Sequence, residues 1–351
     1  MGERSGTGIV AAAMSQPYRL VAILTVLAAC QSSGNGGDDG PPVDAGPDAG
    51  TRCTAMEPRT VAPETFVGPT GLQPRLTALI DGATTSLDIH MYLWTVRALA
   101  DRVVAAKNRG VAVRVILDPD SPGNDAVRPT FLNANVPTRN ATSLYTFSHA
   151  KYMVIDGNRV AIMSMNFNVD AMSNERNYGM VDRDPKDVAD VAAVFKMDWA
   201  IAGGETAMPA DLSCTRLIVS PNNAKARLVE LIDSATQTLE VEVMYLSEDS
   251  VRLAIGAAKM RGVDVRVILS ERTDESLAYL RSLGITVKFS SGFYLHAKLI
   301  VADGVVFIGS ENMSITSLTK NREIGALVFE PAAAAVVRTQ FETDWTGAAA
   351  N

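Results

Sequence analysis

The strongest constraint on this chain is that it writes one unit twice. Leu79-Ile80-Asp81-Gly82-Ala83-Thr84 recurs as Leu231-Ile232-Asp233-Ser234-Ala235-Thr236, 152 residues later. At the same offset, Gly110-Val111-Ala112-Val113-Arg114-Val115-Ile116-Leu117 recurs as Gly262-Val263-Asp264-Val265-Arg266-Val267-Ile268-Leu269. Phe195-x-x-Asp198-Trp199 returns as Phe341-x-x-Asp344-Trp345. A period this long excludes a solenoid of short repeats and predicts a duplicated domain with a pseudo-two-fold, its halves at 59–205 and 206–351. With 47% hydrophobic residues in 351, the chain can bury a substantial core, so wholesale disorder is excluded. A formal charge of −7 gives no electrostatic basis for broad nucleic-acid binding.

Each half reads in the same order. A helix ends near Ala83 or Ala235, and β-branched runs at 86–92 and 238–245 predict strands. Helices follow with apolar residues three and four apart: Val96, Leu99, Val103 and Val104, then Val251, Leu253, Ile255 and Ala258. Gly110 and Gly262 stop them, and 111–117 and 263–269 read as buried strands. A helix between strands argues a layered, largely parallel α/β sheet. A β-hairpin and a closing helix end each half.

The hairpins carry the chemistry. Both contain Asp-Gly between β-rich runs, at Asp156-Gly157 and Asp303-Gly304, a strong tight-turn signal. Residues two apart on a strand share a face, so His149 joins Lys151 and Ser164 joins Asn166 on the returning strand. His296, Lys298, Ser310 and Asn312 repeat the set. An imidazole, an ammonium, a hydroxyl and an amide suit an anionic tetrahedral centre. Two such sets face to face allow one His to attack phosphorus while the other protonates the leaving oxygen and then activates the acceptor. No metal is needed to make that nucleophile. Two of the three histidines in the chain are each followed by Lys at +2 and Asp at +7, which packing does not explain.

These residues resemble the hallmark of the phospholipase D superfamily, His-x-Lys-x4-Asp followed by Gly-Ser-x-Asn, present twice in one chain. The resemblance implies an α/β, duplicated phospholipase D-like fold: two similar layered α-β-α halves related by a pseudo-two-fold, with the active site between them. It implies a cofactor-free, metal-independent, two-step phosphodiester exchange through a phosphohistidine. The implied catalytic set is His149, His296, Lys151, Lys298, Asp156 and Asp303, with both aspartates mainly supporting local structure and charge. Ser164, Asn166, Ser310 and Asn312 are the expected phosphate-binding or supporting residues, and the family's frequent use of the N-terminal His points to His149 as nucleophile.

Departures from the family pattern are visible. Met163 stands where the family has Gly, and the second turn is one residue shorter. Asn321-Arg322-Glu323 resembles the family position whose acid orients a catalytic His. The first half reads Glu175-Arg176-Asn177, with residue types exchanged, leaving Glu175 as the candidate partner there. His90 matches Glu242 and reads as a strand residue near the sheet end; Trp199 and Trp345 read as core anchors. Met163 and Met165 are candidate apolar walls for a lipid.

The N-terminal stretch reads as addressing. Arg19 precedes an apolar run from Leu20 that is too short to span a bilayer, so residues 1–30 predict a secretory signal. Leu27-Ala28-Ala29-Cys30 resembles the bacterial lipoprotein cleavage box, with Cys30 the lipidated residue; a plain signal peptide containing a Cys is the alternative. Residues 31–58 read as a flexible Gly/Pro/Asp-rich linker. The expected location is the bacterial cell envelope, at an outer-membrane or periplasmic face, or outside the cell. Cys53 and Cys214 either pair in that oxidising compartment or remain two buried thiols.

Three functions compete. The lipid anchor and mild acidity favour an enzyme that hydrolyses or transfers phosphatidyl groups of membrane phospholipids. A secreted endonuclease of the same superfamily is second, because residues 51–351 hold 30 Lys+Arg against 34 Asp+Glu without a basic cluster. A non-catalytic phosphate-binding module is third, since His149 and Lys151 are intact. The implied partners are phospholipid and the membrane; a monomer is compatible with the sequence, and the oligomeric state is open.

Overall fold

In the computed structural model, which describes residues 53–270 and 274–350, the sequence repeat becomes two similar eight-stranded sheets. The expected signal peptide, Cys30 and residues 31–52 of the linker lie outside the described residues. The first half begins with β1 (Glu64–Gly68), α1 (Leu72–Asp81), β2 (Ser86–Met91), α2 (Arg97–Asn108) and β3 (Ala112–Leu117). It continues with α3 (Arg128–Asn133), β4 (Thr138–Asn140), β5 (Lys151–Ile155), β6 (Arg159–Met163), α4 (Val169–Ser173), β7 (Glu175–Asp182) and α5 (Pro185–Ala202). The second half begins with β8 (Leu217–Ser220), α6 (Ala224–Ser234), β9 (Thr238–Val243), α7 (Asp249–Met260), β10 (Asp264–Leu269) and α8 (Asp274–Ser282). There follow β11 (Thr286–Phe289), β12 (Tyr294–Leu295), β13 (Lys298–Ala302), β14 (Val305–Gly309), α9 (Ile315–Thr319), β15 (Glu323–Val328), α10 (Pro331–Gly347) and β16 (Ala349–Ala350).

The strand orders β1-β7-β6-β5-β2-β3-β4 and β8-β15-β14-β13-β9-β10-β11-β16 match over their first seven positions, β16 is an added edge strand of the second sheet, and β12 crosses over to pair with β7. The sheets are mixed rather than largely parallel. β2–β3 and β9–β10 are parallel across their crossover helices, but β2–β5, β5–β6 and β6–β7 are antiparallel. The reason is the hairpin: it docks beside β2, and β7 folds back on it as a further antiparallel strand that the sequence reading did not anticipate. Both turns use left-handed backbone at Asp156 and Gly157 (φ 54° and 62°) and at Asp303 and Gly304 (48° and 95°), which matches the strand twist.

Period-two alternation divides each hairpin strand between two cores. Met153 and Ile155 face the outer core with α1 and α2, while Tyr152 and Val154 face a core shared by both halves. In β13, Ile300 and Ala302 face the outer core, and Leu299 and Val301 face the shared one. The closing helices α5 and α10 contribute Phe195 and Phe341 to this shared core, and Trp199 and Trp345 stack on those rings at 6.1 Å as the expected anchors. The repeated aspartates of these helices cross between halves. Asp198 pairs with Arg322 at 2.6 Å, and Asp344 pairs with Arg176 at 2.6 Å. Since β7 carries Arg176 and the residue before β15 is Arg322, each closing helix locks the strand edge of the other half.

Cys53 and Cys214 form a disulfide with Cα atoms 5.5 Å apart. Ala55 is buried, and its carbonyl accepts from Arg216 Nε at 2.9 Å. Residues 53–58, placed in the linker by composition, are therefore packed against the second half. Among the described residues no helix is long and apolar enough to cross a membrane.

Candidate active site

His149 precedes β5 and His296 precedes β13, at mirrored positions where both hairpins enter the seam between the sheets. Both imidazoles line one cleft of about 530 Å³, with Tyr92, Phe147, Met244 and Asn312 among its other walls. Each ring is held by the opposite half. His149 Nδ1 lies 2.7 Å from Glu323 Oε2 on β15, and His296 Nδ1 lies 3.0 Å from Asn177 Oδ1 on β7. With Nδ1 engaged, Nε2 is the ring nitrogen left for the cleft.

The expected orienting acid Glu323 is thus in contact with its His. In the first half Asn177, not Glu175, occupies the equivalent place. Glu175 stands behind it, accepting from Asn177 Nδ2 at 3.2 Å and lying 3.8 Å from His296. The exchange of Glu and Asn noted in sequence is therefore an exchange of position: Asn321 backs Glu323 at 3.0 Å as Glu175 backs Asn177. Glu175, the expected partner, thus reaches His296 only from behind Asn177, because the mirrored triplets correspond by position and not by residue type.

Lys151 and Lys298 lie fully buried beneath the histidines, each donating to the backbone carbonyl of the His two residues before it, at 2.5 Å. Burial lowers the Lys151 ammonium to about 7, against the pull of Glu323. Lys298 is pushed well below its ordinary value by burial and by Lys151. Burial also lowers His149 to about 4, although Glu323 opposes it. His296, with burial and two nearby lysines and no carboxylate among its leading influences, falls well below its ordinary value. Glu323 is disfavoured as a charge by burial, but His149, Lys151 and Asn321 overcome this and hold it below the usual carboxylate range. The resting cleft therefore holds neutral imidazoles, and a bound phosphodiester anion would favour the charged forms of the lysines beneath them.

Several expected residues stand elsewhere. Asp156 and Asp303 sit at the hairpin turns, seven residues from their histidines, roughly 20 Å along an extended strand, and outside the cleft. Asp156 accepts from the backbone N–H groups of Thr84, Thr85 and Ser86, and Asp303 from those of Thr236, Gln237 and Thr238. Partial burial works against their charge, yet these donors hold both carboxyls well below the ordinary range. They clamp the hairpin to the start of the neighbouring strand, as supporting residues.

Ser164 and Ser310 also face inward. Ser164 donates to Asn177 Oδ1 at 2.8 Å and accepts from Tyr178 N, and Ser310 accepts from Ile324 N. They brace the strands that hold the orienting residues and do not face the cleft as anion donors. Asn312 lines the cleft, with Asn166 at the mirrored, buried position. Met163 and Met165 are fully buried in the first-half outer core, so they form no lipid wall. Gly309 shows why the halves differ: a Cβ there would meet Gly325 Cα at 2.6 Å and the Glu311 carboxyl at 2.3 Å. His90 is buried, with Nε2 2.6 Å from Ser148 Oγ, one layer behind His149 and outside the cleft.

The family model described as "Cardiolipin synthase, PLD-like domain" matches residues 76–199 and 228–345. A curated cardiolipin synthase of Geobacillus kaustophilus is 25% identical over 252 residues, covering 62% of this chain and 47% of that protein. A probable cardiolipin synthase of Bacillus subtilis is 24% identical, covering 56% and 45%. The chain thus spans about half the length of these relatives. Among solved structures, the phosphatidylserine synthase of Haemophilus influenzae superposes with a TM-score of 0.64 at 11% identity, covering 83% of this chain and 89% of that one. The polyphosphate kinase of Porphyromonas gingivalis gives 0.63 at 17%, covering 80% and 46%; at these identities both speak for the fold alone. With both repeats matched and the two mirrored His-Lys hairpins converging on one cleft, the chain belongs to the phospholipase D superfamily.

Proposed function

We propose that the chain is a phosphodiesterase that moves phosphatidyl groups of membrane phospholipid through a phosphohistidine on His149. The observation that carries the reading is that His149 and His296 line the same cleft with unequal partners, a carboxylate and an amide. Glu323 accepts the His149 Nδ1–H, which fixes the tautomer and raises the electron density at Nε2, the nucleophile. Asn177 separates His296 from Glu175, whose carboxyl stays 3.8 Å away, so a protonated His296 has a weaker partner than His149 and is the stronger acid.

Nε2 of His149 attacks phosphorus, and the bond to the leaving alcohol breaks as His296 delivers its proton to that oxygen. His296 then takes the proton of an acceptor hydroxyl, which attacks phosphorus and releases His149. The negative phosphodiester is what favours protonation of His296 in the filled cleft. Lys151, Lys298 and Asn312 offset charge on the non-bridging oxygens.

The cardiolipin synthases among the relatives support lipid over nucleic acid, and an alcohol over water as acceptor. A lipid anchor at Cys30, within a 1–30 signal, would hold the enzyme at its substrate, with halves 59–205 and 206–351 sharing the site. The test is to incubate the full chain with phosphatidylglycerol, phosphatidylcholine or plasmid DNA, with and without chelator, beside a His149→Ala/His296→Ala control. Cardiolipin or phosphatidic acid formed in the presence of chelator supports the reading. Cleavage of DNA alone supports the endonuclease, and no turnover of any phosphodiester supports a binding module.

A further inference from the structure

Four large apolar side chains are exposed at mirrored places: Phe147 and Ile315 line the cleft, and Tyr294 and Val169 hold the equivalent positions in the other half, a pattern that scattered surface residues do not produce. Phe147 and Tyr294 each stand two residues before a site histidine, and Val169 and Ile315 each open the short helix after the Ser-x-Asn segment. They are 38%, 41%, 64% and 51% exposed, and Leu144 on the approach to Phe147 is 74% exposed.

Each is held outward by the site itself. Ser314 caps α9, and Ser317 of that helix donates to Glu323, the acid behind His149. Asn168 caps α4 and reaches Glu175, the acid beside His296, at 3.5 Å. The Phe147 carbonyl accepts from Arg322 N, and Tyr294 N donates to the Asn174 carbonyl. Withdrawing any of the four into the core would disturb the groups that orient a histidine.

We infer that Phe147, Val169, Tyr294 and Ile315, extended by Leu144, form an apolar rim that seats the open cleft on a phospholipid bilayer. The inference rests on the phosphatidyl-group reading above. A protein docked on this rim would cover the opening above His149 and His296, whereas a bilayer delivers substrate through it. The sequence before the described residues argues for the same occupant. From Cys30 to the disulfide-held Cys53 is 23 residues of Gly-, Asp- and Pro-rich sequence, a length that as random coil would span about 26 Å root-mean-square. A lipid on Cys30 would keep the domain within contact distance of the membrane and leave its orientation to the rim.

The test uses the full chain in a Cys30→Ser background, in which the paired Cys53 and Cys214 leave a single introduced thiol for an environment-sensitive fluorophore. Labels go at Val169→Cys and Ile315→Cys, with Met208→Cys, at an 87% exposed residue outside the rim and cleft, as control. With vesicles of phosphatidylethanolamine and phosphatidylglycerol, the labels at 169 and 315 should shift to the blue and lose most of their quenching by iodide, while the label at 208 stays quenchable. Adding Leu144→Asp and Val169→Asp should raise the lipid needed for half-maximal shielding at 315 by at least about tenfold, as loss of even one buried apolar side chain implies. Labels at 169 and 315 that stay quenchable, or shielding equal to that at 208, overturn the rim. Lipid turnover with exposed rim labels refutes the rim and leaves the proposed function standing. Shielded rim labels without lipid turnover do the reverse.

Discussion

The asymmetry of the two histidines predicts the effect of Glu323→Gln. The replacement keeps an oxygen within reach of His149 Nδ1 but removes the charge that the imidazole faces at 2.7 Å. A hydrogen bond to a charged group is worth about 1.5–3 kcal/mol, and the transition state, in which His149 gains positive character, needs it more than the resting cleft does. At about 1.4 kcal/mol per decade, kcat/KM should fall about 10- to 100-fold. The assay uses a soluble phosphodiester with a good leaving group such as p-nitrophenolate, which leaves without an acid and so isolates His149 from His296. In the same assay Asn177→Ala should cost less than about threefold, because Asn177 serves the acid. Glu323→Gln within threefold of the wild type, or Asn177→Ala equally damaging, would refute the assignment of unequal roles.

Other consequences can be measured directly. In the free enzyme kcat/KM should stay high as pH falls below 6.5 and drop only near about 4, where His149 gains a proton and stops being a nucleophile. It should also fall as pH rises through about 7, where Lys151 loses the charge that receives phosphate. A flat profile from pH 5 to 9 would contradict the buried setting of these groups. Asp198→Ala leaves Arg322 buried without its 2.6 Å partner and should cost about 3–5 kcal/mol in urea unfolding. Reduction of Cys53–Cys214, which closes a loop with a sequence separation of 161, should cost up to about 5 kcal/mol by the same measurement.

Much of this architecture was legible because two copies check each other. The hairpins followed from Asp-Gly turns flanked by β-branched runs, and the His-Lys faces followed from period-two arithmetic. What escaped were relations across the seam. β15 is buried along its whole length and β7 at every residue but Arg176, so they show no alternation to mark them as strands. Arg176 and Asp344, 168 residues apart, gave no local sign of pairing, although each belongs to a mirrored motif whose repetition was visible. Ser164 and Ser310, expected on the returning strands, lie just past the ends of β6 and β14, and their hydroxyls turn to the next strand's N–H, which side-chain parity alone does not reveal. Met163 and Met165 flank the motif in sequence and point into the core, because the first-half sheet fills with methionine the space that Gly309 and Glu311 share in the second.

The proposed chemistry requires one phosphorus atom to meet both imidazoles. Rapid quenching of His296→Ala with a radiolabelled soluble phosphodiester bearing a good leaving group examines this most directly. The first step then needs no acid, and the second lacks its base, so a phosphoenzyme should accumulate to near one equivalent and map to the peptide carrying His149. Steady turnover at about half the wild-type rate by each single variant, with label found on whichever histidine remains, would mean two independent sites and would contradict the account.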